Sequence, residues 1–261
     1  MRAERPAKAE RFWPITLASV AILFALWAGV SVLGLVNPLF LPGPGLLFSS
    51  FIDLLFNGYK GYSLPAHIAV SLMRVALGFG SGAIVGTLIG LGMGAMPLFD
   101  AFAAPFVEFL RPLPQLAYLV LLIVWFGIGE TSKIVLLFLT ALPVAAIAAR
   151  DGVRNVPRER IQAARALGAS PGQIFRHVIF FSALPEIFVG ARLAVGIVYA
   201  TLIAAEIIAG SDGIGWLVFD AGRFLRSDYV FVGVLLIGLM GLGLDFGLRT
   251  LERRVVHWAG K

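Results

Sequence analysis

The sequence has no cysteine and few charged residues, and both shortages limit what the chain can be. Without a thiol among its 261 residues, neither disulfides nor thiolate metal ligands can contribute to its structure. Charged residues make up 14% of the chain, whereas hydrophobic residues make up 59% and the mean hydropathy is +0.91. A soluble domain of this length could not bury so much apolar surface, so lipid is the expected solvent. We therefore predict an all-α, polytopic membrane protein.

Motifs for nucleotide binding, metal binding and hydrolysis are also missing. No G-x-x-x-x-G-K-[ST] motif occurs, so the chain cannot hold a nucleotide phosphate in the P-loop manner. Its histidines, His67, His177 and His257, are scattered, with neither metal-ligand spacing nor a Ser–His–Asp pattern. We predict no cofactor, no metal site and no enzymatic activity in this chain.

Six apolar runs are long enough to cross a bilayer, for which a helix needs about 20 residues. They lie at 14–36, 71–96, 101–126 (broken by proline near its start), 132–149, 188–209 and 231–251. The first run is longer than a signal-peptide core, so we expect it to be retained. Dense glycines in the second run predict close helix packing. We expect one transmembrane domain over residues 14–261, after an N-terminal segment at residues 1–13.

Lysine and arginine are distributed unevenly between the two sides of these spans. Six spans place both termini and the segment after the fourth span on one side, which carries Arg2, Arg5, Lys8, Arg11, Arg150, Arg154, Arg158, Arg160, Arg165, Arg176, Arg249, Arg253, Arg254 and Lys261. The opposite side carries Lys60, Lys133, Arg223 and Arg226, partly offset by Asp53, Glu130, Asp212, Asp220 and Asp228. The positive-inside rule then predicts cytoplasmic N- and C-termini. Topology accounts for the pI of about 10.1, so nucleic-acid binding is not expected.

A basic, amphipathic segment at about residues 150–186 interrupts the apolar runs. Residues 157–167 predict a helix with one apolar face, which Gly168 can end in a left-handed conformation. Ser170 and the proline after it predict the cap and first turn of a second helix, and Pro185 predicts a break before the fifth span. From the residues alone, this hairpin could either dock a soluble partner or lie on acidic lipid headgroups.

A few ionisable residues fall within the apolar runs, where they are costly and often functional. Glu108 and Arg111 are spaced i, i+3 and are expected to pair with each other, or else to line a gate or pathway. Glu206 either faces the pathway or bonds across to another helix. Arg74 and Arg192 lie near span ends, and we expect their side chains to extend to the interface.

Several separated motifs occur along the chain in a fixed order. They are LFLPGPG at 39–45, SLMRVALGF at 71–79, VWFGIGETSKI at 124–134, IQAARALGAS at 161–170, LPEIFVGARLAVG at 184–196 and AAEIIAGSDGIGWLV at 204–218, with a closing Trp258. In this order they resemble binding-protein-dependent ABC importer permeases of the nitrate/sulfonate/taurine branch, and residues 161–170 resemble their EAA loop. Gln162 stands where the family usually has glutamate, so no salt bridge is expected from this position.

The resemblance implies a type I importer permease fold with six transmembrane helices. It implies that the cytoplasmic coupling helix–turn–helix contacts an ATPase through Glu159, Arg160, Ile161, Gln162, Ala163, Ala164, Arg165, Gly168 and Ala169. Glu108, Arg111 and Glu206 remain the candidates for the substrate path. The implied partners are a second copy of the chain, an ABC ATPase dimer that binds ATP and Mg²⁺, a solute-binding protein outside, and the lipid of a bacterial inner membrane.

The motifs are most similar to those of taurine and alkanesulfonate permeases, although nitrate, bicarbonate and thiamine-precursor importers share much of the pattern. A different hypothesis is an ion-coupled secondary transporter that works alone. Such a protein needs acid–base residues at the membrane midplane, and only Glu206 qualifies.

Overall fold

The regular structure of the chain is helical throughout the part that the structure describes. The structure is a computed structural model and describes residues 13–258; the predicted N-terminal segment up to residue 12, with its basic residues, and Lys261 lie outside the described residues. Its first helices are α1 (Trp13–Val32), α2 (Pro44–Phe56), α3 (Leu64–Ala95), α4 (Pro97–Leu110), α5 (Gln115–Phe126) and α6 (Glu130–Arg154). They are followed by α7 (Arg158–Ala166), α8 (Pro171–Ile174), a π-helical turn (Phe175–Ile179), α9 (Phe180–Ala209), α10 (Ile214–Arg223) and α11 (Ser227–Val255).

Five stretches of helix are long and apolar enough to cross a membrane by themselves. They are Pro14–Val32, Leu64–Ala95, Glu130–Arg154, Pro171–Ala209 and Ser227–Val255. Helices α4 and α5 meet the same criterion together but are bent by 98° at the break between them. Counting this bent pair as one span gives the six spans predicted from the sequence, with the break in the third span at the prolines that follow Leu110.

The break predicted at Pro185 is absent, and this prediction is wrong. Residues 171–209 form one continuous apolar stretch, with Pro185 inside α9 and a π-helical turn near its beginning. Proline is tolerated inside transmembrane helices because neighbouring groups and local changes in helix geometry satisfy the freed carbonyl. The fifth span therefore begins well before residue 188.

Helices α3 and α6 form the most extensive helix pair in the bundle, and glycine lies at their contact. Gly82, Gly86 and Gly90 recur every four residues, so they lie on one face of α3. A Cβ atom at Gly82 would lie 2.5 Å from the carbonyl oxygen of Phe138, and one at Gly90 would overlap the carbonyl of Ala146. Backbone thus packs directly on backbone, which confirms the close packing predicted from these glycines.

Helix α6 is the centre of the fold, with α3 and α9 on either side of it. Of the 18 most apolar consecutive residues of α6, 61% are buried, whereas 0% of those of α1 are buried, so α1 lies at the periphery. Helices α2, α10 and α11 pack around a separate apolar cluster that includes Leu54, Leu217 and Val232. The central helices α3, α6 and α9 carry buried charged groups, among them Arg74, Lys133 and Glu206.

Candidate translocation and coupling sites

The helix and the turn predicted between the fourth and fifth spans are present as α7 and the turn at Gly168, but the predicted second helix is not a separate one, because α8 continues through the π-helical turn into α9. Helix α7 ends at Ala166, and Gly168 has a φ of +81°, in the left-handed region that favours glycine. The N–H of Gly168 donates to the carbonyl of Arg165 (2.9 Å), and the N–H of Ala169 donates to that of Ala164 (3.1 Å). These two bonds satisfy carbonyls at the end of α7 and confirm the role predicted for Gly168 in the turn.

The start of α8 is fixed by a capping box, as the sequence indicated. The N–H of Gln173 donates to Ser170 Oγ (3.4 Å), and the N–H of Ser170 donates to Gln173 Oε1 (2.8 Å). Pro171 occupies the first helical position, where its missing N–H leaves no unmet bond. The turn between α7 and α8 therefore has a defined geometry on both sides.

Helix α7 presents nearly its whole surface to the outside of the bundle. None of its residues is buried: Ile161 and Ala164 are half-buried, as is Ala169 just after the helix, while the other residues predicted to couple are exposed. Leu167, the residue that follows α7, is 88% exposed. Arg160 Nη1 donates to Ser182 Oγ (3.2 Å) and connects α7 to α9.

Arg74 lies in the interior, which overturns the prediction that its side chain extends to the interface. Its side chain is 0% exposed. The guanidinium donates from Nη1 to Glu206 Oε1 (2.7 Å), from Nε to Glu130 Oε2 (2.7 Å), and from Nη2 to Asp212. A buried guanidinium is costly without acceptors, and three carboxylates from separate parts of the chain supply them.

Glu206 is the other fully buried member of this network. Its carboxylate accepts hydrogen bonds from Ser71 Oγ (2.8 Å), from Arg74 Nη1 and from the N–H of Gly215 (2.9 Å). Of the two alternatives left open by the sequence, the structure therefore supports bonding across to another helix. The network ties α3, α6, α9 and the start of α10 together at one end of the bundle.

Glu108 and Arg111 do not pair with each other, which corrects the pairing predicted from their spacing. Glu108 Oε1 instead accepts from Arg150 Nη1 at 2.9 Å, and Arg150 Nε also lies 2.7 Å from Asp100 Oδ1. The side chain of Arg111 makes no ion pair or hydrogen bond within residues 13–258. The pairing of Glu108 with Arg111 predicted from their i, i+3 spacing does not form, because Arg150 of α6 packs beside α4 and supplies a competing cation.

Arg192 is half-buried and pairs with a neighbouring helix. Its guanidinium lies 3.3 Å from Asp245 and 3.7 Å from Glu252, both on α11. The side chain therefore fastens α9 to α11, a role that the expected extension to the interface did not include.

A cavity of about 400 Å³ lies between α5, α6 and α9. Its wall is mostly apolar, and its polar members are Arg111, Gln115, Tyr118, Thr140, Asp151 and Glu186. Of the three residues proposed for the substrate path, Arg111 lines this cavity, Glu108 lines a neighbouring one with Arg111, and Glu206 lines neither. Sequence reasoning missed Gln115, Tyr118 and Thr140, because a single polar residue in an apolar helix gives no sign of which side it faces.

Some of the charges predicted for the outer side form local ion pairs. Lys60 Nζ lies 2.6 Å from Asp220 Oδ2, to which the hydroxyl of Tyr59 also donates (2.9 Å). Burial alone would raise the pKa of Asp220, but the hydrogen bonds from Lys60 and Tyr59 outweigh it and hold that pKa below its usual value. Burial raises the pKa of Tyr59 to about 12.

The chain matches a known family over most of its length. The family described as "Binding-protein-dependent transport system inner membrane component" matches residues 82–257. The chain belongs to this family. As a member, it is the multi-pass membrane component of an ABC importer, and the predictions of a permease subunit and of a chain that is not an enzyme are confirmed.

Similar curated proteins extend the match to nearly the whole permease. This chain is 39% identical to the taurine transport system permease protein of Escherichia coli (strain K12), over 95% of this chain and 93% of the relative. It is 33% identical to the putative aliphatic sulfonates transport permease protein of Bacillus subtilis (strain 168), over 98% and 91% of the two chains.

A solved structure confirms the predicted fold class. A chain of the MetNI methionine ABC transporter in inward-facing conformations superposes with a TM-score of 0.64 and 22% identity. The match covers 74% of this permease and 95% of that chain. At this identity the likeness concerns the fold, which is that of the ABC importer permeases predicted from the motifs.

Proposed function

We propose that this chain is the permease subunit of an importer for taurine or another alkanesulfonate. The observation that carries the proposal is the 39% identity to a taurine permease over nearly the full length of both chains. A relative named for aliphatic sulfonates supports the same substrate class. A sulfonate is a strong acid and stays anionic at any physiological pH, so the substrate carries a permanent negative charge.

The exposed hairpin of α7 and α8 is the surface through which a partner ATPase drives transport. Support comes from its geometry: α7 buries no residue of its own, yet caps and turn bonds give the hairpin a fixed shape. A helix of nine residues is marginal in water by itself, so a partner surface would complete its packing. The contact residues are those from Glu159 to Ala169 named from the resemblance.

The assembled importer contains two copies of this permease, an ATPase dimer that binds ATP and Mg²⁺, and a solute-binding protein. The termini and the hairpin lie in the cytoplasm, because residues 150–176 and the end of α11 carry nine of the fourteen arginines among residues 13–258. Large apolar side chains such as Phe102, Phe106 and Val124 are exposed on α4 and α5. Such a surface is available for a second copy or for lipid, and two copies would enclose a single path.

The proposal is tested by reconstituting the permease with its ATPase and binding protein in liposomes and measuring uptake of labelled taurine. We expect uptake that requires both ATP and the binding protein. Nitrate uptake without taurine uptake would overturn the substrate class and leave the importer role standing. Uptake by the permease alone, driven by an ion gradient, would overturn the importer role.

The coupling role is tested with Gly168→Val, since valine is strained at a φ of +81°. We expect taurine uptake to fall at least tenfold while the amount of permease in the membrane stays the same. The matched control is Gly238→Val, at an exposed glycine of α11 where an added Cβ has open space. Arg165→Glu tests the same surface by charge reversal, and wild-type uptake by both hairpin variants would refute the coupling role.

A further inference from the structure

The wall of the cavity between α5, α6 and α9 includes the exposed residue Arg111, a positive charge with no ion-pair partner among residues 13–258. Arg111 lies on its wall and makes no ion pair or hydrogen bond over the part of the chain that the structure describes. By contrast, Arg74, Arg150 and Arg192 are each held by carboxylates of neighbouring helices. A guanidinium without a partner can accept an anionic ligand without breaking an existing bond, and its planar fork suits two oxygens of one anion.

The same wall carries negative charge at separate positions. Asp151 of α6 and Glu186 of α9 line the cavity, and neither forms an ion pair with Arg111 or with any other residue between 13 and 258. Both carboxylates are exposed rather than buried. The cavity therefore presents one unpaired cation and two unpaired anions that do not neutralise one another directly.

Neutral hydrogen-bonding groups lie on the remaining wall. Thr140 Oγ1 donates to the carbonyl of Leu136 (2.8 Å), so its contact with the hydroxyl of Tyr118 at 3.5 Å uses the tyrosine proton. At that distance the bond is weak, and the tyrosine hydroxyl can donate to a ligand instead. The amide of Gln115 adds further donors at the wall. A mostly apolar cavity of about 400 Å³ with a few converging polar groups has the size and character of a small-molecule site.

We propose that this cavity is a binding station for a zwitterionic aminosulfonate on its way through the permease. The sulfonate binds Arg111, with Gln115 and Tyr118 donating to it, and the ammonium lies towards Asp151 and Glu186. The inference rests on the proposed function and narrows it. A plain alkanesulfonate lacks the ammonium and faces two uncompensated carboxylates, so the station favours taurine over such an anion.

The test uses the complex of permease and ATPase in lipid nanodiscs, without the binding protein, and measures binding of radiolabelled taurine with ethanesulfonate as competitor. We expect Arg111→Gln to weaken taurine binding at least tenfold, as loss of a charge-assisted hydrogen bond should. Arg111→Lys should retain part of the affinity because it keeps the charge. The matched control is Arg253→Gln, which removes an exposed arginine that does not line the cavity.

The acidic side of the station is tested with the double variant Asp151→Asn/Glu186→Gln. In the wild-type complex, taurine should bind at least tenfold more tightly than ethanesulfonate, and in the double variant this preference should disappear. The assembly of every variant is checked by its copurification with the ATPase. If Arg111→Gln does not assemble, the Arg111→Lys and acidic variants decide the question.

The failure of this inference is distinguishable from failure of the proposed function. If wild-type liposomes import taurine but the complex without binding protein binds none, or binds it equally in Arg111→Gln, the station is refuted and the importer stands. Equal wild-type affinity for taurine and ethanesulfonate refutes the zwitterion preference. If the reconstituted importer carries no sulfonate at all, both proposals fall together.

Discussion

Replacing Arg74 with methionine should destabilise the permease more than any other single loss of charge in the bundle. The substitution keeps an apolar side chain of similar length but leaves Glu206, whose side chain is 0% exposed, without a positive partner. Ser71 and the N–H of Gly215 still donate to it, but neither carries a charge. Removing one partner of a buried ion pair costs about 3–5 kcal/mol, and we expect a loss of this order.

The loss is measured as a change in the free energy of unfolding when the purified permease is titrated with denaturing detergent in mixed micelles. The control is Arg253→Gln, an exposed arginine outside the network, which should change that free energy by less than about 0.5 kcal/mol. The double variant Arg74→Met/Glu206→Gln should cost at least ~1 kcal/mol less than the sum of the two single changes. An Arg74→Met protein as stable as wild type, or strict additivity in the double variant, would refute the view that the two charges stabilise each other.

Three smaller predictions concern packing, the outer ion pair and the hairpin. Gly90→Val places a side chain against the α6 backbone and should lower the thermal unfolding temperature markedly, whereas Gly238→Val should not; equal melting of the two variants would contradict the packing. Asp220→Asn removes the partner of Lys60. The pKa of Asp220 is lowered in the folded protein. The ionised carboxylate therefore adds to the stability of the fold above its unfolded pKa of about 4, and this stabilisation is lost as the pH falls through the folded pKa. The difference in unfolding temperature from wild type should therefore shrink as the pH falls from 7 to 3, and a constant difference would refute this linkage. Ser170→Ala removes a capping hydrogen bond worth about 1 kcal/mol, so the amides at the start of α8 should exchange with deuterium about fivefold faster, while unchanged exchange would mean that the cap does not hold the turn.

The features that sequence reasoning predicted well are those whose causes lie within a few residues. The turn between α7 and α8 depends on Gly168, Ser170 and Gln173, all within one short segment. The glycine face of α3 could be predicted for the same reason, since a spacing of four residues defines one side of a helix. Hydropathy alone identified the six spans, because each crosses lipid by itself, but it did not give their ends, since the fifth begins well before residue 188.

The predictions that failed for ionisable residues concerned partners distant in the sequence. Arg74 lies 56 residues from Glu130 and 132 from Glu206, so no local pattern could indicate that three carboxylates surround it. Glu108 forms its ion pair with Arg150, 42 residues away, and not with its close neighbour Arg111. Both of these failures have the same cause, because tertiary packing brought a charge from another helix within reach.

The direct contact of backbone on backbone between α3 and α6 restricts how the permease can move. At Gly82, Gly86 and Gly90 the α3 backbone lies against carbonyl groups of α6, so a shift of either helix along the other would bring main-chain atoms into collision there. We therefore expect α3 and α6 to move together as one rigid body. The path would then open and close by movement elsewhere, at the 98° bend between α4 and α5 and at the interface with a second protomer.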